Sequence, residues 1–208
     1  MDPTQTKLIE AAGEVFARRG FRGATVREIC GRAKANVAAI NYHFGSKEAL
    51  YAQVLRSWIR RAEEKYPIHE ASKAGTPEEK LVAFVRAFLA RVSDPDRPDW
   101  HTQVIAREMA EPSKEFRDLL EETVRPLQNG LGAIVAEILG AKPTDIRVRR
   151  SVYSILGQCV YYRSSRAFIH ALNPELALTP ARVSEIADHI AEFSIQALRG
   201  MRSSRRRA

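Results

Sequence analysis

Apolar residues recur at helical spacing along this chain, and no segment alternates with the period of two that a half-buried strand requires. Leu8, Ala12, Val15 and Phe16 form a first stripe, which Thr4 or Thr6 opens and Gly20 closes. Thr25 starts a second helix. It is an N-cap hydroxyl with Glu28 three residues on, the capping-box spacing, and Val26, Ile29, Cys30 and Ala33 share one face. Ala33-Lys34-Ala35 reads as a tight turn. Asn36 is a good N-cap for a short helix from Val37 to His43 that buries Ile40 and Phe44. Gly45 ends it, because glycine accepts the left-handed conformation after a helix. Ser46 caps a helix continuing to about Lys65, with Leu50, Val54, Trp58 and Ala62 on one side, and Pro67 stops it.

Beyond Pro67 the pattern stays helical. His69 to Gly75 reads as a polar linker, and Thr76 with Pro77 at N1 opens a helix through Leu81, Phe84, Val85, Phe88 and Val92. After the breaker Asp94 to Asp99, Trp100 to Met109 forms a short helix stopped near Pro112. Ser113 caps a long helix reaching Ile138, in which Pro126 predicts a kink. Thr144 caps the next, to about Leu172, and Thr179-Pro180 begins the last, ended by Gly200. The expectation is an all-α chain of about nine helices, without internal repeats.

Two packed helices of which the second presents small and polar side chains are what a major groove admits, so residues 25 to 50 read as a DNA-reading helix-turn-helix. Lys34, Asn36, Val37, Ala38 and Asn41 are the candidates for base edges: Asn suits a bidentate contact with adenine, Val or Ala a thymine methyl. Thr25 and Lys47 lie at helix N-termini, where backbone N–H groups and the dipole favour phosphate. Tyr42 and His43, at the end of the reading helix, are placed on the backbone. Three alternatives stay open. Asn36 is consumed by capping or reaches a base; His43 touches DNA or packs under the next helix; Arg27 meets a phosphate or only solvates its helix. Cys30 shares the face of Val26 and Ile29 and reads as a small core residue.

These residues also carry a resemblance. Lys7 through Tyr51, with LIEAAGEVFARRGFRGATVREIC followed by the ending NYHFGSKEAL, resembles the N-terminal domain of TetR-type transcriptional regulators. NVAAINYHFGSK is similar to a subgroup that includes the fatty-acid-responsive and CecR-type repressors, and REMAEPSKEFRDLLEETVRPLQ resembles the CecR-type C-terminal segment. Thr25 and Lys47 match phosphate-binding positions of the family. Ala38, Ala39 and Asn41 depart from the Gly, Thr and Tyr of many members, so no operator sequence carries over. The resemblance implies a helix-turn-helix domain over 1–50 with a connecting helix over 46–66, and an effector-binding and dimerisation domain over 67–200. It also implies a homodimer built on residues 144–172 and 179–199. An effector pocket would be lined by Phe84, Phe88, Trp100, Val104, Met109, Phe116, Leu120, Cys159, Tyr162 and Arg163. Such aromatic and Met residues at helical spacing also describe plain core, and Tyr161-Tyr162-Arg163 fits a dimer network as well as an acidic ligand.

Charge sharpens this picture. The formal net charge is +8 over 208 residues. Residues 1–66 hold twelve Lys and Arg against seven Asp and Glu, residues 67–198 are nearly balanced, and the last ten add five arginines and no acid. Basicity thus coincides with the DNA motif and with a tail, 201–208, expected to be disordered. No apolar run spans a membrane, the start of the chain has no secretory h-region, and Cys30 and Cys159 fit a reducing cytoplasm. His69, His101, His170 and His189 lack metal-ligand spacing. No nucleophile–base set or phosphate-cradling glycine loop is present, so neither an enzyme, a metal nor a cofactor is expected. The reading is a ligand-responsive homodimeric repressor on a palindromic operator. The alternative is a partner-dependent or constitutive DNA-binding regulator without a small ligand.

Overall fold

The computed structural model describes residues 2–71, 73 and 75–204. Among them there is no strand, and twelve α-helical segments follow one another: α1 (Pro3–Gly23), α2 (Val26–Ala33), α3 (Ala38–Phe44), α4 (Lys47–Lys65), α5 (Ile68–Ala71), α6 (Pro77–Val92), α7 (Asp99–Ala110), α8 (Lys114–Leu119), α9 (Arg125–Leu139), α10 (Ile146–Ser164), α11 (Arg166–Leu172) and α12 (Val183–Ser204). The all-α expectation holds, and the three helices beyond nine have identifiable causes. Ile68–Ala71 forms a single turn that overlaps the start of the polar linker expected over His69 to Gly75. The long helix capped by Ser113 is interrupted by a π-helical turn, Leu120–Val124. Pro126 has no N–H for the carbonyl four residues back and its ring crowds that carbonyl, so the ladder widens just before the proline rather than merely bending at it. Finally, α10 and α11 are separated at Ser165, whose ψ of 16° leaves the helical range.

Three caps differ from expectation. Asp2, not Thr4 or Thr6, opens α1: its carboxylate accepts from the Thr4 N–H at 3.0 Å, with Pro3 at N1. Asp145, not Thr144, caps α10 by accepting from the Arg147 N–H at 2.8 Å. Gly200 does not end α12, which runs on through Met201–Ser204; the guanidinium of Arg202 donates to Ile138 O at 3.4 Å and ties that extension down. Of the expected disordered tail, residues 201–204 are therefore helical, and 205–208 lie outside the described residues.

By packing, the chain divides into two units: Met1–Arg61 with Asp96–Val124, and Ala62–Pro95 with Arg125–Ala208. The sequence reading groups residues 67–200 as one domain; in packing, α7 and α8 from that stretch belong to the same unit as the N-terminal helices.

In the first unit Leu8, Phe16, Ile29, Ile40 and Leu50 are fully buried, and Phe16 meets Tyr51 edge-on with ring centroids 4.7 Å apart. Helix α7 seats on α1 at a notch. Gly13 faces the Trp100 indole so closely that an added Cβ would lie 2.5 Å from it, and the Trp100 N–H donates to Glu10 at 3.0 Å. One step along, Arg107 donates to Ala17 O at 3.0 Å and Arg18 O at 3.3 Å. This supplies donors near the kink where Gly20 takes φ of 69°. Glu108 is buried yet satisfied: one oxygen accepts from the Tyr51 hydroxyl at 2.5 Å, the other from the Ser113 N–H at 2.7 Å. Burial, reinforced by this carboxylate, raises the Tyr51 phenol well above its usual range. Burial also drives the His101 imidazole down to about 2, the charge of Arg97 adding to the effect.

The second unit rests on broad apolar contact. Leu81, Val85, Leu89, Leu131, Ile190 and Leu198 are buried at the centre of one cluster drawn from α6, α9 and α12, with α10 adding Val148 and Ile155. Thr76 caps α6 as expected and, with Glu79, forms a full capping box, the hydroxyl accepting from Glu79 N at 3.3 Å and the carboxylate from Thr76 N at 2.7 Å. Ion pairs such as Arg86–Asp188 and Glu78–Arg199 lie on the surface, where each contributes little.

Candidate nucleic-acid interface

The reading head is assembled from local bonds. Thr25 Oγ1 accepts from the Glu28 N–H at 3.1 Å and sets the start of α2. At its other end the Ala35 N–H donates to Cys30 O at 2.9 Å and the Lys34 N–H to Gly31 O at 3.3 Å. That pair of bonds is the Schellman closure of a helix. Its left-handed position is held by Lys34, with φ 54° and ψ 40°, where a non-glycine residue costs about 1–2 kcal/mol. Asn36 then accepts from the Ala38 N–H at 2.9 Å, so its side chain is engaged in starting α3. Gly45, at φ 81°, closes α3 through its N–H to Asn41 O at 3.0 Å, and the Ser46 hydroxyl accepts from Ala49 N at 3.1 Å to begin α4.

Ile40 is completely buried and anchors α3, with Ala39 and Phe44 packed against the same cluster. This anchoring decides the outward face. Val37 is 52% exposed and Tyr42 84%, and Ala38 and Asn41 are exposed beside them. The face thus offers two apolar groups, one amide and one phenol without a carboxylate among them, the surface chemistry a base edge can use. His43 is turned partly inward, its Nε2 3.7 Å from the Asp2 carboxylate and its ring edge-on to Tyr42 at 4.9 Å. Arg27 stands exposed on α2.

Lys47 has a different environment from the open phosphate contact that its position led us to expect. Its ammonium donates to Phe21 O and Ala24 O, each at 3.1 Å, and lies 4.5 Å from the Phe21 ring centroid. It stitches the first turn of α4 to the α1–α2 connection and so orients the head. Nothing in local spacing signals this role, because both carbonyls are more than twenty residues away in sequence.

The residues expected to line an effector pocket fall into two groups. Trp100, Val104, Phe116 and Leu120 belong to the core cluster of the first unit; Phe84, Phe88, Cys159 and Tyr162 belong to that of the second. Phe84 and Phe88 stack with centroids 6.1 Å apart, and Arg163 donates to Val92 O at 2.9 Å. Met109 is 65% exposed and lines no core. Burial pushes the Cys159 thiol up to about 12 and raises that of Cys30 as well, so both behave as apolar packing groups. Among the described residues no three His, Cys, Asp or Glu side chains are grouped to hold a metal ion, and no helix is long and apolar enough to cross a membrane.

Two helices joined by a Schellman turn, the second anchored by one isoleucine and open on its far face, define a helix-turn-helix module. The family described as "Bacterial regulatory proteins, tetR family" matches residues 8–54, and "HTH-type transcriptional dual regulator CecR, C-terminal domain" matches residues 77–198. The chain is 31% identical over 209 residues to the HTH-type transcriptional repressor NicS of Pseudomonas putida, covering 97% of this chain and 93% of that protein. Its fold is shared with a tetR-family bacterial regulatory protein from Rhodococcus RHA1, at a TM-score of 0.69 and 17% identity over 95% of this chain and 98% of that one. It is shared too with AibR, solved in complex with isovaleryl coenzyme A and operator DNA, at a TM-score of 0.66 and 19% identity over 91% and 97%. This chain belongs to the TetR family of bacterial transcription regulators, and its C-terminal region is of the CecR type.

Proposed function

We propose that this protein is a cytoplasmic, homodimeric repressor that binds a palindromic operator through α3 and is released by a small-molecule effector. The observation that carries the DNA reading is the outward face of α3, where Val37, Ala38 and Asn41 stand exposed around a helix anchored by Ile40. Phosphate is met by the N–H groups at the starts of α2 and α4, with Thr25, Arg27 and Tyr42 beside them. The DNA-binding domain covers about residues 1–50, and residues 67–200 hold the effector and the partner subunit.

Dimerisation is supported by the exposed faces of α10 and α12. Tyr153 and Tyr161 on one and Phe193 and Met201 on the other are exposed, and a groove of about 200 Å³ floored by Ile155 and Leu198 lies between the two helices. Gly157 sits mid-helix on the same face of α10, and an added Cβ there would meet nothing within 4 Å. A glycine within a helix costs about 1 kcal/mol, and close approach of a second copy gives it a reason. Two-fold symmetry also doubles the bases a short helix reads.

AibR binds isovaleryl coenzyme A, which makes short acyl-coenzyme A thioesters the first effectors to try. An effector that favours the DNA-incompetent state lowers operator affinity by its preference ratio, and DNA lowers effector affinity equally. Selection of bound duplexes from a random library at moderate salt tests the reading. The expected result is a palindrome whose binding some acyl thioester weakens. Recovery of no motif, with binding that vanishes as salt rises, would contradict it and favour partner-dependent recruitment.

A further inference from the structure

Lys34 sits in a backbone position that its side chain does nothing to justify. Among the described residues it is the non-glycine residue with positive φ. The two bonds that close the turn come from the backbone N–H groups of Lys34 and Ala35, which a glycine would provide equally and with less strain. The side chain is exposed at the edge of an open groove of about 860 Å³ between the start of α1 and the α2–α3 turn. The carboxylates along that groove already have partners. Glu14 pairs with Arg32, and Glu10 accepts from the Trp100 N–H. Lys34 forms no ion pair among the described residues, and its positive charge stands exposed one turn before α3, beside Asn36, whose own side chain is occupied in capping.

We infer that Lys34 is a contact to an operator phosphate, kept in place of a more stable glycine for that purpose. An ammonium on a flexible stem is a point charge suited to phosphate rather than to the paired edges of a base, and the outward face of α3 already supplies groups that fit bases. The inference rests on the reading that α3 enters the major groove.

The test uses the full-length protein with Lys34→Gly, Lys34→Asn and Lys34→Arg, measuring thermal melting and binding to operator and unrelated duplexes over a salt series. Lys34→Gly is expected to melt about 2–4 °C higher. It should bind both duplexes more weakly by a similar factor, roughly threefold to tenfold per protomer, with a salt slope shallower by about 0.9 per protomer, or about 1.8 for the dimer. Lys34→Asn, which tolerates the left-handed backbone, should lose affinity likewise, and Lys34→Arg should retain it. Unchanged affinity and slope in Lys34→Gly, with native protein that selects an operator, would overturn this inference alone. So would a loss confined to one base position, or a lower melting temperature. Native protein that selects no operator would overturn the DNA reading and this inference with it.

Discussion

The two packed units hold their helices by different means. In the unit that carries the reading head, orientation is set by single, directed contacts: the Trp100 indole over Gly13, the Glu108 carboxylate between Tyr51 and Ser113, and the Lys47 ammonium on two carbonyls. In the other, α6, α9, α10 and α12 share a broad aliphatic cluster; pairs such as Arg86–Asp188 and Glu78–Arg199 lie on its surface, and Lys65 reaches the buried Asp94 carboxylate at 2.8 Å. Apolar burial is non-directional and sums over area, whereas a hydrogen bond or a notch works at one geometry. A head that must present a few side chains to DNA in a fixed register gains from the second kind of contact. On the proposed function, a body that packs helices around an effector and a partner can rely on the first.

The largest expected effect tests the aliphatic side of that contrast. Leu131→Ala, at a fully buried position, should destabilise the protein by about 2–5 kcal/mol in urea unfolding, and by an amount set by cavity volume rather than by any one lost partner. A change under about 1 kcal/mol would mean that this core repacks freely.

Acid comes next, and it acts on the first unit. His101 is held neutral to about pH 2 in the folded state by burial, while the unfolded chain binds a proton near pH 6.5. Between those values the unfolded state holds more protons, so stability falls as pH drops below about 6.5, by up to about 1.4 kcal/mol per pH unit. Denaturant melts at pH 7, 6 and 5 should show this slope in the native protein and its loss in His101→Gln. Equal slopes in both would remove His101 as the cause.

A matched pair of glycines gives the smallest and sharpest comparison. Gly13→Ala should cost about 1–3 kcal/mol, because a rigid indole must move from 2.5 Å. At Gly132 on α9 an added Cβ would meet Val148 and Val152 at 3.9 Å, an ordinary contact. Gly132→Ala should therefore be stabilising by about 0.5–1 kcal/mol through helix propensity. Effects of the same sign in thermal melts would dissolve the distinction between a notch and a tolerant core.

Much of the reading head was legible in the sequence because its bonds span few residues. Thr25 to Glu28, Asn36 to Ala38 and Ser46 to Ala49 are caps within three positions, and Gly45 announces its own backbone conformation. Ile40 could be assigned to the core from periodicity alone. Elsewhere, adjacent candidates blurred the register. Asp2 before Pro3 outcompetes two nearby threonines, and Asp145 outcompetes Thr144, since in each pair of rivals only packing decides where the first turn closes. Pro126 signalled a disturbance but not that it would take the form of a π-turn over Leu120–Val124. The seat of α7 on α1, Lys47 reaching back to Phe21 and Ala24, and the division of the pocket candidates between two clusters are tertiary facts. Contacts of that sequence separation leave no periodic trace.

The central claim is that the outward face of α3 reads bases. Its most direct test is to select bound DNA in parallel with native protein and Asn41→Ala. The variant is expected to lose preference at one position in each half-site, by about 1–3 kcal/mol, and to keep the rest of the motif. An unchanged motif bound more weakly throughout would show Asn41 to be no base contact and would contradict the account.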